Sequence, residues 1–228
     1  SLNIEGGVTT YADIDLSSNV TDIYSTNTAF AALKSDGSVV TWGQFLYGGD
    51  SSSVTANLSS GVTQIYSTNA SFAAVKSDGS VVTWGSVDHG GDSSSVSSEL
   101  TGVMEIYSTN TAFAALKSDG SVITWGSVAH GGDSSSVSAN LSSGVTQIYS
   151  TNSSFAALKS DGSVATSGSD ANGADSSSVR LELTAVMAIN KTKTASVAVK
   201  ADGSVVAWET VDHGTDSSSV RSEYISGL

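Results

Sequence analysis

Apolar residues come along this chain in short alternating bursts, parted by clusters of Gly, Ser, Asn and Asp. Alternation with a period of two marks a strand that turns one face toward a core. Between Val62 and Gly102 the pattern predicts three strands: Val62–Asn69 (VTQIYSTN), Phe72–Lys76 (FAAVK) and Ser80–Trp84 (SVVTW). The second and third are joined by Ser77-Asp78-Gly79-Ser80, and Asp-Gly supplies the positive φ angles that a tight hairpin needs. A loop from Gly85 to Gly91 leads to Asp92-Ser-Ser-Ser-Val-Ser-Ser-Glu-Leu. That segment reads as a short helix capped by Asp92 or Ser93, with Val96 and Leu100 on one face.

The unit recurs. Its hairpin turn places Asp36, Asp78, Asp119, Asp161 and Asp202 at steps of 42, 41, 42 and 41 residues. The segment Asp-Ser-Ser-Ser-Val starts at Asp50, Asp92, Asp133, Asp175 and Asp216, with the same steps. Three strands cannot bury two faces alone, so the units must stack on their neighbours. The expected fold class is therefore all-β with short helical turns. Five tandem three-stranded units form a single repeat domain over residues 1–228, closed as a β-propeller or, alternatively, open as a β-solenoid-like array. Trp42, Trp84, Trp125 and Trp208 would fill one layer between units, beside Phe30, Phe72, Phe113 and Phe155.

Residues 1–20 align with the loop and short helix of a unit, Leu16 falling on Leu58. The chain stops at Gly227-Leu228, after the same piece of the fifth copy, an overlap that suits an excised piece of a longer array. The last two copies drift. Ser167 stands for Trp, Ile189-Asn-Lys-Thr-Lys193 for Ile-Tyr-Ser-Thr-Asn, and Glu209 for the Gly after Trp. Terminal units of an array drift in this way, because one face has no neighbour to match.

Composition narrows the partners. Apolar content is 39%, enough for a core, and charged residues are only 14%, so Ser, Thr, Asn and Gly fill most polar positions. The 22 acidic and 9 basic residues leave a net charge of −13 with no Lys/Arg cluster, which argues against nucleic acid as a partner. No apolar run approaches the length of a membrane span, so no membrane insertion is expected, and the N-terminus lacks the order of a signal peptide. The absence of Cys removes disulfides, thiolate metal sites and Cys nucleophiles, and fits a bacterial surface or secreted protein that must tolerate oxidation, as it also fits many cytosolic proteins.

The stretch from Gly61 to Gly85, GVTQIYSTNASFAAVKSDGSVVTWG, resembles repeats of the regulator of chromosome condensation family. There too a strand leads to a small-residue turn, an apolar strand, Asp-Gly, and a strand ending in Trp-Gly. Gly90-Gly91-Asp92 stands where that family usually has Gly-Gln-Leu-Gly, and the likeness runs through all five units. Thr-Asn replaces the family's Gly-His before the second strand, and the unit is shorter. In unit size it is similar to the bacterial β-lactamase-inhibitor propeller. The resemblance implies a propeller. It does not carry over nucleotide exchange, since no catalytic loop for that activity maps onto a position here.

The copies differ most between Trp-Gly and Gly-Gly. The variants are Gln44-Phe45-Leu46-Tyr47, Ser86-Val87-Asp88-His89, Ser127-Val128-Ala129-His130, Ser169-Asp170-Ala171-Asn172 and Thr210-Val211-Asp212-His213. Binding residues gather on loops held by a rigid scaffold. The candidate ligand-binding set is therefore Phe45, Leu46, Tyr47, Asp88, His89, His130, Asp170, Asn172, Asp212 and His213, with Phe45, Leu46 and Tyr47 as exposed apolar anchors. A repeated Tyr-Ser-Thr-Asn at Tyr24, Tyr66, Tyr107 and Tyr149 offers a second, polar surface that would line the channel of a ring.

Catalytic chemistry finds little support. The repeated Asp residues are read as turn and cap residues, since no Asp-x-Asp-x-Asp run suggests calcium. His89, His130 and His213 share one loop position, and the repeat keeps them a unit or more apart, so neither a metal nor a cofactor is expected. There is no Gly-x-Ser-x-Gly elbow, and Glu is scarce and scattered. The reading is a non-enzymatic binding or display module of a larger bacterial surface or secreted protein, recognising a protein or glycan through the variable loops. A structural spacer or assembly subunit, joining itself or neighbouring repeats in a longer chain, is the alternative, and a hydrolase the third.

Overall fold

A computed structural model describes residue 16, residues 18–169, residues 174 and 176, and residues 179–208. The strands of the first unit are β1 (Val20–Ser25), β2 (Ala29–Lys34) and β3 (Val39–Gly43). The second unit holds β4 (Val62–Ser67), β5 (Ser71–Lys76) and β6 (Val81–Gly85), and the third β7 (Val103–Ser108), β8 (Ala112–Lys117) and β9 (Val122–Gly126). The fourth holds β10 (Val145–Ser150), β11 (Ser154–Lys159) and β12 (Val164–Gly168), and the fifth β13 (Val186–Lys191), β14 (Ser196–Lys200) and β15 (Val205–Trp208). Each unit is its own antiparallel sheet, with its three strands side by side in chain order.

Where the alternating pattern gives way to Gly-Gly-Asp-Ser-Ser-Ser, the expected short helix is only a single 3-10 turn at Ser52–Val54, Ser94–Val96 and Ser135–Val137. Serine hydroxyls compete for backbone groups, and a segment this short cannot repay helix nucleation. Among the described units the third alone adds an α-turn, Ser138–Leu141. The N-cap falls on Ser93, whose side chain makes no capping bond, while the Asp92 carboxylate before it takes the Ser94 N–H at 2.8 Å.

The middle strands explain why sheets stack. Phe72 and Ala74 turn to the first unit, where they join Ala31, Leu58, Ile65 and Trp84 in one buried cluster. Ala73 and Val75, on the opposite face of the same strand, join Leu100, Ile106, Phe113 and Trp125. The third and fourth units pack in the same way, as do the fourth and fifth. Every core thus lies between two sheets, and burying one Phe side chain contributes about 1.5–3 kcal/mol. Within a unit Phe and Trp lie in register on adjacent strands and stack, Phe72 on Trp84 and Phe113 on Trp125, with ring centroids 5.2 Å apart.

Each first strand carries a bulge at its second residue. A bulge bends the strand and raises its twist. In the second unit Thr63 closes the irregularity, its hydroxyl donating to the Val75 carbonyl at 3.1 Å.

Candidate binding face

The first strands of neighbouring units touch, β1 with β4, β4 with β7, β7 with β10 and β10 with β13, so they form the inner row of the stack. The corners leading out of them are joined by a chain of backbone bonds. The Asn27 N–H donates to the Asn69 carbonyl at 3.0 Å, Asn69 to Asn110 at 2.9 Å, Asn110 to Asn152 at 2.8 Å, and Asn152 to Lys193 at 2.7 Å. All five corners converge on one polar cavity of about 590 Å³. Four units line it with Ser-Thr-Asn, such as Ser67, Thr68 and Asn69, while the fifth brings Lys191, Thr192 and Lys193. Both lysines are exposed, in a chain whose net charge is −13.

The corner also fixes the variable loop beside it. Thr68 donates its hydroxyl to the His89 carbonyl at 3.0 Å, Thr109 to His130 at 3.1 Å, and Thr26 to Tyr47 at 3.1 Å. Basin and loops therefore share one end of the sheets, and the Asp-Gly turns lie at the other. Gly48 follows the loop with φ +98°, and a Cβ there would stand 2.6 Å from the Phe72 ring. This is why the loop must end in glycine.

The candidate residues divide by position. Phe45 and Leu46 are 62% and 66% exposed, and Asp88 is exposed as well. Tyr47, His89 and His130, which follow them, are half-buried. The imidazoles bond within their own loops, His89 Nδ1 to Ser86 Oγ at 2.9 Å and His130 Nδ1 to Ser127 Oγ at 3.0 Å. Val87 and Val128, 66% and 69% exposed, were not among the sequence candidates. The signal for them was their alignment with Phe45. Asp170, Asn172, Asp212 and His213 lie outside the described residues.

The Tyr-Ser-Thr-Asn surface also divides. Ser, Thr and Asn line the basin, whereas Tyr bridges units. The Tyr24 hydroxyl accepts a hydrogen bond from Gln64 Nε2 at 3.1 Å, and burial, then the charge of Asp22, raises its pKa. Tyr107 donates to Glu105 Oε2 at 2.7 Å, and burial with that carboxylate pushes the phenol far up. At the opposite end Asp78 Oδ1 takes the Ser80 hydroxyl at 2.6 Å and the Ser80 N–H at 2.9 Å, which hold its carboxyl below the ordinary range. Among the described residues no three His, Asp or Glu side chains converge as a metal site would require, and no helix is long and apolar enough to cross a membrane.

Neither a protein-family model nor a curated protein matches the chain by sequence. Solved structures do match by fold. Yeast RCC1 (Prp20), in its complex with Kap60, aligns with a TM-score of 0.50 at 17% identity, over 83% of this chain and 56% of that one. The fold is an RCC1-like propeller. The CRINKLY WD40 ectodomain of the Arabidopsis thaliana receptor kinase ACR4 gives 0.50 at 14% identity, over 86% of this propeller and 70% of that chain. Human WBSCR16 gives 0.50 at 14% identity, over 83% and 61%. This propeller thus spans little more than half the length of the yeast protein.

Proposed function

We propose that the propeller acts by binding a protein partner rather than by catalysis, and that the corner end is its recognition face. The observation that carries this is the row of exposed apolar side chains, Phe45, Leu46, Val87 and Val128, each more than 60% accessible and each held beside the polar basin by a threonine hydroxyl bonded to its loop. Apolar and aromatic anchors on a rigid rim are what interfaces use for affinity, and polar surroundings exclude the wrong partners. Lys191 and Lys193 would favour acidic side chains of the partner at the centre. A fold neighbour crystallised in complex with Kap60 supports the use of this fold for binding proteins. Residence at a bacterial surface or outside the cell is part of the proposal, motivated by the Cys-free, weakly charged composition.

A glycan ligand is the second reading. The Asn27, Asn69, Asn110 and Asn152 side chains all border the basin, a donor and acceptor set suited to sugar hydroxyls.

Photo-crosslinking tests the main reading. A crosslinking residue at position 87 should capture a protein from the source cells, and one at position 78, on the opposite end, should not. Equal capture at both positions, or capture unchanged by Phe45→Ser with Leu46→Ser and Val128→Ser, would refute the assignment.

A further inference from the structure

We infer that the first and fifth sheets carry the two halves of one further inter-sheet interface, and that the partner they fit is another unit of this same repeat. Equivalent residues show the contrast. Ile65, Ile106, Ile148 and Ile189 are 1–4% exposed against the preceding sheet, whereas Ile23 is 58% exposed. Phe72 and Phe113 are fully buried, whereas Phe30 is 42% exposed. On the outer face of the fifth sheet Val205 is 41% exposed, and Val197 and Val199 are half-buried where Ala73 and Val75 are buried.

The backbone tells the same story. At the corner end, the bonds running from Asn27 to Lys193 leave the Lys193 N–H and the Asn27 carbonyl without the bond their equivalents make. At the other end, Val62, Val103, Val145 and Val186 donate to the carbonyls of Gly37, Gly79, Gly120 and Gly162 at 2.9–3.0 Å, and neither Val20 as donor nor Gly203 as acceptor has such a bond. A Cβ on Gly37, Gly79, Gly120 or Gly162 would meet the next unit's backbone at 2.5–2.9 Å, yet one on Gly203 meets nothing within 4 Å.

The two halves are complementary. The fifth sheet offers a donor at its corner and an acceptor at its hairpin, while the first offers the reverse. Exposed Asn190 stands where Tyr24 does, and exposed Asp22 where Gln64 does, so a carboxamide would face a carboxylate at the position of the Gln64–Tyr24 bond. What covers such a face inside the molecule is always another unit, which brings the apolar stripe and both backbone bonds at their fixed spacing. Units that stack by nearest-neighbour contacts add in the same way at either end.

Extending the chain tests the partner. A second copy of Thr63–Gly144, appended after Leu228, continues the repeat in register. In the extended protein the Lys193 amide should exchange with solvent at least tenfold more slowly than in the present chain. The slowing should vanish when the appended copy carries Asp at its equivalents of Ile65 and Phe72, the residues that would face the fifth sheet. No slowing, or slowing that survives those Asp substitutions, overturns the proposal. The same slowing in the unextended chain at high concentration, accompanied by a larger sedimentation coefficient, also supports it, the unit then coming from a second molecule.

Discussion

The indole N–H of Trp84 donates to the backbone carbonyl of Gly48, one unit back and 3.1 Å away, and Trp125 does the same to Gly90 at 3.0 Å. One side chain thus fills the inter-unit core and satisfies a buried carbonyl of its neighbour. Trp84→Ala should cost about 3–5 kcal/mol in denaturant unfolding. Trp84→Phe keeps most of the apolar volume but orphans that carbonyl, and should cost about 1–3 kcal/mol. A loss below about 1 kcal/mol for Trp84→Ala would make the indole dispensable to the core.

Gly79 and Gly203 hold the same hairpin position with φ +77° and +82°. Alanine at either strains the left-handed backbone by about 1–2 kcal/mol. At Gly79 the new methyl would also press on the Gly102 backbone, 2.9 Å away, so Gly79→Ala should lose clearly more stability than Gly203→Ala. Equal losses, measured by thermal unfolding, would mean that the neighbouring unit moves aside freely.

Asp36, Asp78, Asp119, Asp161 and Asp202 are held below their ordinary value of 3.8, first by the serine hydroxyl two residues on and then by that residue's N–H. A carboxyl depressed in the folded state adds stability that is complete above its unfolded value and is lost as pH falls through the folded one. These carboxylates are exposed, so each turn contributes little, but all five act with one sign. The melting temperature should drop as pH falls below 3.8, and Asn at all five positions should flatten that drop. An equally steep decline in the fivefold variant would place the acid sensitivity elsewhere.

Thr111 Oγ1 is buried without a hydrogen-bond partner, and the second unit has buried Ala70 in its place. Thr111→Ala should therefore stabilise the protein, by about 1 kcal/mol. Destabilisation in urea titration would show that the hydroxyl finds a partner in solution.

Strands were readable because their determinants are local: Asp78-Gly79 sets the turn, and alternation through Phe72–Lys76 sets the faces. The helical turn after Asp92 was readable, but its 3-10 form was not, because the spacing of Val96 and Leu100 does not report how three serines treat the backbone. In the variable loop, Phe45 and Leu46 were chosen as apolar anchors and do face outward. Tyr47, His89 and His130 are half-buried, and threonine hydroxyls 21 residues earlier hold their backbone carbonyls, a tertiary relationship no window of sequence displays. Val87 and Val128 were overlooked, since valine in a β-rich chain reads as core. The exposure of Ile23 was equally hidden, because its local sequence matches that of Ile65 and only the missing neighbour differs.

The middle strands use alanine on both faces, as at Ala73 and Ala74 or Ala114 and Ala115, all fully buried. The bulk beside them comes from Phe72 and Phe113 on the same strands and from Trp84 and Trp125 on the next. Each inter-sheet core accordingly sets small side chains against large ones, Ala73 with Phe113 and Trp125 for instance. Valine at position 197, where earlier units have Ala31, Ala73, Ala114 and Ala156, enlarges the outer face of the fifth sheet, so a unit laid against it would have to leave room for two more methyl-sized groups than its predecessors do.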